Sequence, residues 1–525
     1  MHSRNRIIGV ASAGVVAALA LAGCSGGNSA PENQNSSLTI DSGFTIETAD
    51  PGHSYDPTGN MLAKALYETL VDFEGSDVST PVPGLASWEQ NDDATEFTFT
   101  LEDGRTFSDG TPVEAKDVVF SLGRIQAMTD AKPNFLLAGI TIEQVDDQTI
   151  SFSSDSPMLQ LPAILANPAL GILNSDVVAE HGGTGGADDS AQSWLDENSA
   201  GSGPYVLDSL DLTSQIVLSA NEDYTGPEEP AYSRVVIRNV TESATQLINL
   251  QGGDTDVALD LNGDQVGELG DGFTVNSVPS GSTIFLLVNQ DPAIGGPTAN
   301  TDFAAAVRYG LDYDGLLELA GTGSVEATGV IPPGYAGALD EGVSQDLDAA
   351  KAALAASGYA GQTVTLSFPN DYPVGGVDFT SVAERVQSQL EGIGVNVELA
   401  PAPFATELDA YVGGTEAFGL WFWGPDYADS ANFLPFAPGL TVGLRSGWTA
   451  EDAPELSQLA ADAYAASTVD ERNALFTEFA TKMQESGPFI PLIVPGSNIA
   501  TSDAVTGAAY NSVWTLDIAE LSPAS

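Results

Sequence analysis

The chain has a single cysteine, Cys24, among 525 residues. One thiol cannot form an intrachain disulfide, a cysteine zinc cluster or an iron–sulfur site. Whatever this sequence folds into is therefore held without a covalent cross-link within the chain. Its length exceeds what one compact core uses and points to two or three domains. The apolar share, 42%, is that of a globular protein, and the apolar runs are evenly spread. The 55 glycines and 30 prolines then read as turns and strand ends, not as disorder.

The position of that cysteine is informative. Arg4 and Arg6 form a short basic head, and an Ala-rich apolar stretch follows from Ile7 to Ala20. This is the layout of an export signal, too short for a membrane span. It ends in Leu21-Ala22-Gly23-Cys24, which resembles the bacterial lipobox, where the cysteine is lipidated and becomes the new N-terminus. Residues 1–23 are expected to be a lipoprotein signal peptide, and the small polar run 24–37 a flexible tether. The resemblance implies an exported protein, periplasmic or anchored to the outer face of the cell membrane through Cys24 alone. No later stretch is long and apolar enough for a span.

Seventy-three Asp and Glu face 15 Lys and Arg, a net charge of −58. Such a surface repels phosphate backbones, so nucleic acid is excluded as a partner. It keeps the chain soluble, and its field favours cationic ligands. There is no G-x-S-x-G elbow, P-loop or H-E-x-x-H. The three histidines are His2, His53 and His181, too few to suggest a catalytic triad or a His-rich metal site. Asp260-Leu261-Asn262-Gly263-Asp264 hints at a calcium loop. Gln265 stands where such a loop needs Gly, so the segment reads as a polar turn. No enzyme activity, metal or cofactor is expected.

The rest of the chain alternates strand and helix patterns. Residues 38–51 read as a strand, 53–60 as a polar loop and 61–73 as a helix. Glu96–Leu101 alternates as a strand, and 140–154 as a hairpin. Thr111, Pro112 and Glu114 suggest an N-cap, first helical residue and first-turn acid of a helix through Ile125. Residues 303–321 read as one helix. Helix–Gly–strand units cover 347–370 and 379–402, and a long helix covers 469–486. The pattern is mixed α/β.

Residues 421–430, WFWGPDYADS, place a carboxylate inside an aromatic wall. Pattern alone leaves this segment open between a core strand and a site. Elsewhere, Leu85-Ala86-Ser87-Trp88, Phe97-Thr98-Phe99, Phe107-Ser108-Asp109-Gly110 and Glu114–Ser121 resemble the signature of family 5 extracellular solute-binding proteins, receptors of ABC importers for peptides, nickel and opines. Ser108 and Glu102-Asp103 depart slightly from it. Further landmarks follow in order: Gly201–Tyr205, Gly252–Asp256, Asn289, Val307–Asp312, Ala353–Tyr359, Trp423–Tyr427 and Asn432–Leu434. Ser430 replaces a usual Pro. The resemblance spans about residues 38–520.

That resemblance implies a periplasmic-binding-protein-like α/β fold, two lobes built from three domains with mixed sheets and a hinge. Domain I would combine 38–75, 204–282 and 490–525, domain II would be 76–203, and domain III 283–489. The protein would be a monomeric receptor that closes around a di- or oligopeptide or related solute and delivers it to an importer's permease and ATPase. Nickel-chelate, opine and oligosaccharide receptors are alternatives within the family, and a surface adhesin or signalling lipoprotein an alternative outside it. Carried over from peptide-binding relatives, Asp426 would take the ligand's α-ammonium. Phe422 and Gly424 would offer backbone groups. Trp421 and Trp423 are expected to alternate across the strand, one inward and one toward solute, with Tyr427 beside them. Gly59 and Asn60 are weaker contacts, and Asn167 a second-lobe contact or core residue. Arg445 and Arg105 are the candidate clamps for a ligand carboxylate.

Overall fold

The computed structural model describes residues 36–44, 46–227 and 229–524. Cys24, the leader and the tether up to Asn35 lie outside them, so the lipidation expectation does too. Among the described residues no helix is long and apolar enough to cross a membrane.

Three larger sheets organise these residues. In the first, seven strands run in the order Phe273–Pro279, Gly496–Ser502, Val257–Ala258, Ser37–Ser42, Arg234–Asn239, Gln215–Ala220 and Tyr205–Asp211. Ser37–Ser42 lies parallel to both its neighbours, and the other pairings are antiparallel. A four-stranded antiparallel sheet is made from Ala86–Gln90, Glu96–Leu101, Thr149–Ser153 and Thr141–Gln144. Phe97, Phe99 and Leu101 point into its core and the residues between them outward, as the alternation predicts. The third sheet has six strands: Val325–Glu326, Phe489–Val494, Thr283–Val288, Phe418–Trp423, Thr363–Pro369 and Asn396–Ala402. Its central strands, FIPLIV and TIFLLV, are buried at every residue, which is why they read as unbroken apolar runs.

Two neighbouring strands pass from the seven-stranded sheet into the six-stranded one. Phe273–Pro279 continues after three residues as Thr283–Val288, and Phe489–Val494 continues through Pro495 as Gly496–Ser502. The crossings are tied together where Ser280 N–H donates to Pro495 O at 2.8 Å. Two short crossings side by side are where the resemblance expects a hinge.

Several local elements differ from the sequence reading. The first helix is Pro57–Leu66, four residues into the expected loop, because Asp56 caps it by accepting from Gly59 N at 2.9 Å. The expected helix ends early, and Val71–Glu74 is a strand. Thr111 is not an N-cap. The helix is Ala115–Ala127, started by a reciprocal Glu114–Asp117 capping box. Residues 303–321 split into Thr301–Gly310 and Tyr313–Leu317, since Asp312 caps a new start. The glycine stops at Gly358 and Gly394 hold, each at positive φ. Asn262 and Gln265 form another capping box, and Asp260 Oδ2 accepts from Gly43 N and Gln246 Nε2.

One buried ion cluster joins the first sheet's segment to the helix covering the second. Arg124, 1% exposed, donates to both carboxylate oxygens of Asp50 at 2.8 and 2.7 Å. It also donates to both oxygens of Asp189, at 2.9 and 2.8 Å. Burial alone would raise both acids, but the guanidinium outweighs it. Asp50 lies below the usual carboxylate range, and Asp189 falls to about 2, helped by the Thr184 and Gly185 amides. Depressed folded values mean stability that is complete above the unfolded carboxylate range and lost as pH falls toward 2. Arg124→Met is expected to cost about 3–5 kcal/mol at neutral pH by removing the guanidinium that two buried carboxylates share, leaving Asp50 with His53 and Asp189 with the Thr184 and Gly185 amides. Urea denaturation from pH 7 to pH 2 checks this: the wild type should lose stability on acidification more steeply than the variant.

Candidate functional site

The segment WFWGPDY begins in the strand Phe418–Trp423 and turns at Gly424-Pro425 against the crossing. A Cβ on Gly281 would come 2.9 Å from Pro425 Cγ, and one on Gly424 3.1 Å from Ser282 Oγ. The site segment is thus seated directly on the crossing.

Residues two apart in a strand share a face, and the structure corrects the expectation that Trp421 and Trp423 alternate. Both point to the core shared with the four-stranded sheet, while Phe422 packs on the opposite face. Trp421 is buried, stacked on Tyr411 at 4.5 Å, and donates Nε1–H to Glu416 Oε2 at 2.6 Å. Trp423 donates to Asn432 Oδ1 at 3.0 Å and meets Phe436 edge-on. Phe422 joins a stack with Tyr372 and Phe404.

Asp426 sits where three parts of the chain converge. Tyr55 Oη donates to its Oδ1 at 3.0 Å, and Asn432 Nδ2 to its Oδ2 at 3.3 Å. Asn167 Nδ2 donates to its backbone oxygen at 2.7 Å. Burial raises the Asp426 pKa, and the two side-chain donors only partly oppose that. Burial and the adjacent carboxylate raise Tyr55, so its phenol remains a donor.

Asp426, Trp423, Tyr427 and Asn432 line a cavity of about 550 Å³. Its other walls come from Phe135–Ile140, Ser154–Ile164 and Pro435–Val442, with Tyr464. It therefore lies between the covering elements of the four-stranded sheet and the six-stranded one. The size suits a small organic ligand. A larger cavity of about 730 Å³ lies around Lys64 and Arg105, but its cations are already paired, Lys64 with Asp72 and Arg105 with Glu68.

The backbone of the strand is open on one side. It pairs along Phe418–Trp423 with Thr283–Val288, yet Thr363–Pro369 reaches only Phe418 and Gly419. Among the described strands, Leu420–Trp423 has no partner on that edge.

The remaining sequence-derived residues are placed as follows. Gly59 serves the Asp56 cap, a Cβ there would strike Ser54 Oγ, and Asn60 Nδ2 holds Val513 O at 3.0 Å. Neither lines the cavity. Arg445 lies over Tyr411 at 4.6 Å and Trp423 at 5.9 Å, also outside the lining. Tyr55 and the walls from 135–164 were not expected. Tyr55 stood in the flagged loop, whereas the walls carry no motif. Among the described residues no group of three or more His, Cys, Asp or Glu could hold a metal ion.

Comparison with known proteins completes the picture. The model described as "Bacterial extracellular solute-binding proteins, family 5 Middle" matches residues 80–439. The chain belongs to family 5 of the bacterial extracellular solute-binding proteins. A relative, the "Probable D,D-dipeptide-binding periplasmic protein DdpA" of Escherichia coli (strain K12), is 28% identical over 483 residues, 90% of this chain and 91% of its own. The substrate binding protein CtaP of Listeria monocytogenes shares the fold with a TM-score of 0.81 at 19% identity, covering 93% of this chain and 99% of that one. DppA of Helicobacter pylori, solved in complex with peptide STSA, has a TM-score of 0.75 at 23% identity, covering 93% and 98%. The fold is thus the periplasmic-binding-protein-like α/β fold of this family.

Behind the site strand, burial first and then the neighbouring Glu407 push Glu416 up to about 9, against the Trp421 bond. A raised folded value destabilises the native state progressively as pH rises above the ordinary 4.5. Glu416→Gln keeps an acceptor for Trp421 and removes the titration. It should raise stability by more than about 1 kcal/mol at pH 8 and add nothing at pH 4, measured by urea denaturation at both.

Proposed function

We propose that this protein is an extracytoplasmic receptor for small peptides that closes on its ligand and hands it to the permease and ATPase of an ABC importer. The observation that carries this is Asp426: a carboxylate with neutral donors only, lining a two-sided cavity beside an open strand edge. A ligand ammonium would bring the positive charge the carboxylate lacks. Leu420–Trp423 would pair with an extended ligand backbone, giving affinity that depends little on sequence, with Phe422 and Gly424 supplying groups. Trp423 and Tyr427 would form apolar walls, and the low local dielectric would strengthen the ion pair. Peptide binding by DppA of Helicobacter pylori and the name of the Escherichia coli relative support the choice of ligand.

In this reading the seven-stranded sheet, the four-stranded sheet and the six-stranded sheet centre domains I, II and III, and the paired crossings are the hinge. Ligand touching both sides would stabilise the closed state. The leader and Cys24 would place the receptor outside the membrane on a lipid anchor, as a monomer. The half-exposed Tyr372 ring, stacked on Phe404 at 4.4 Å, keeps a saccharide as the second reading.

Asp426→Ala should lose about 2–5 kcal/mol of peptide affinity by calorimetric titration, since one partner of a desolvated ion pair is removed. Unchanged affinity would remove Asp426 from the ammonium role. Because burial raises Asp426 and the ammonium needs it ionised, wild-type affinity should fall on acidification before an ordinary aspartate titrates. Mass spectrometry of ligand co-purified from a bacterial host separates peptides from sugars.

A further inference from the structure

We propose that the ligand this site selects is a cation whose far end carries no carboxylate, such as a C-terminally amidated or esterified dipeptide or an apolar amine. This rests on the peptide-receptor reading above and narrows its ligand class. Asp426 is the one charged group in the described lining of the 550 Å³ cavity, and no Lys, Arg or His lines it. The walls opposite are apolar, Phe135, Ile140, Met158 and Ile164 among them. Their polar members, Ser154, Ser156 and Gln160, are neutral.

Two cations on flanking segments are held by acids outside the lining. Arg472 pairs with Asp429 at 2.7 Å, and Lys132 with Glu47 at 2.6 Å. Arg445, without a carboxylate partner, spends its flat face on Tyr411 and Trp423 and stays out of the lining. The open edge of Leu420–Trp423 offers no alternative. The aromatic stack beside Phe422 consists of Tyr372 and Phe404, and the charge that acts on Tyr372 is Asp56, another acid. A ligand carboxylate would be desolvated against apolar walls with no counter-ion, inside a protein of net charge −58. An amide in the same place costs no charge burial.

The test uses the full soluble chain and one mixed library of apolar dipeptides prepared as free acids, as C-terminal amides and as N-acetylated amides. Bound species are read by native mass spectrometry, and the tightest member of each form by calorimetry. The amides should bind at least about tenfold tighter than the matched acids, about 1.4 kcal/mol, and N-acetylation should abolish that binding. Free acids binding as tightly as amides overturn the inference and leave the peptide-receptor reading standing. N-acetylated amides binding like the amides overturn the ammonium role and the inference with it. Retention of no dipeptide form overturns the peptide reading itself.

Discussion

The structure depends on two adjacent backbone crossings, Ser280–Ser282 and Pro495, where strands leave one sheet and enter another. Everything on the far side of them, six strands and their helices, connects to the first sheet through these short extended links. Ser280 N–H bonded to Pro495 O keeps the links side by side, so they bend together and not independently. A looser joint would let the two faces of the cavity meet in many registers. A single paired joint holds them in one register, and complementary groups can then be placed far apart in sequence. Tyr55 and Asp426, 371 residues apart, meet at hydrogen-bond distance on these terms.

The Asp426 environment illustrates how a charge can be kept available. Two neutral donors orient the carboxylate without neutralising it, and burial keeps water from doing so. Arg124 shows the opposite solution, one guanidinium whose donors bridge the buried carboxylates of Asp50 and Asp189. The first arrangement costs stability and leaves a binding opportunity. The second holds segments of the chain together.

Much of the fold was legible in the sequence because it is written in local chemistry. The glycine stops at Gly358 and Gly394, the alternation in Glu96–Leu101 and the unbroken apolar run of Thr283–Val288 each report their own environment. The errors were local as well. Thr111-Pro112 satisfies the statistics of a helix start, yet Glu114 and Asp117 cap each other more completely. Asp56 with Pro57 is an equally good start that was read as loop. The site was legible only in part. WFWGPDY stands out by composition and by its family landmarks, and Asp426 followed from it. That Trp421 and Trp423 share a face follows from strand periodicity alone, and on that face the structure buries Trp421 and sets Trp423 at the cavity. Tyr55, Asn167 and the walls from 135–164 meet Asp426 only through tertiary folding, and no spacing in the sequence encodes that meeting.

Pro425 lies close against Gly281, so the turn that carries Asp426 sits beside the crossing. Were the crossings the hinge of the proposed closure, a group bound there would act on a short lever arm, and small displacements at Asp426 would become large ones at the outer rims. That position carries a geometric demand: close to the crossing there is little room to accommodate a bulky residue. Gly281 and Gly424 are the small residues that leave space for the turn against the crossing: a Cβ at Gly281 would press on Pro425, and one at Gly424 on the Ser282 hydroxyl.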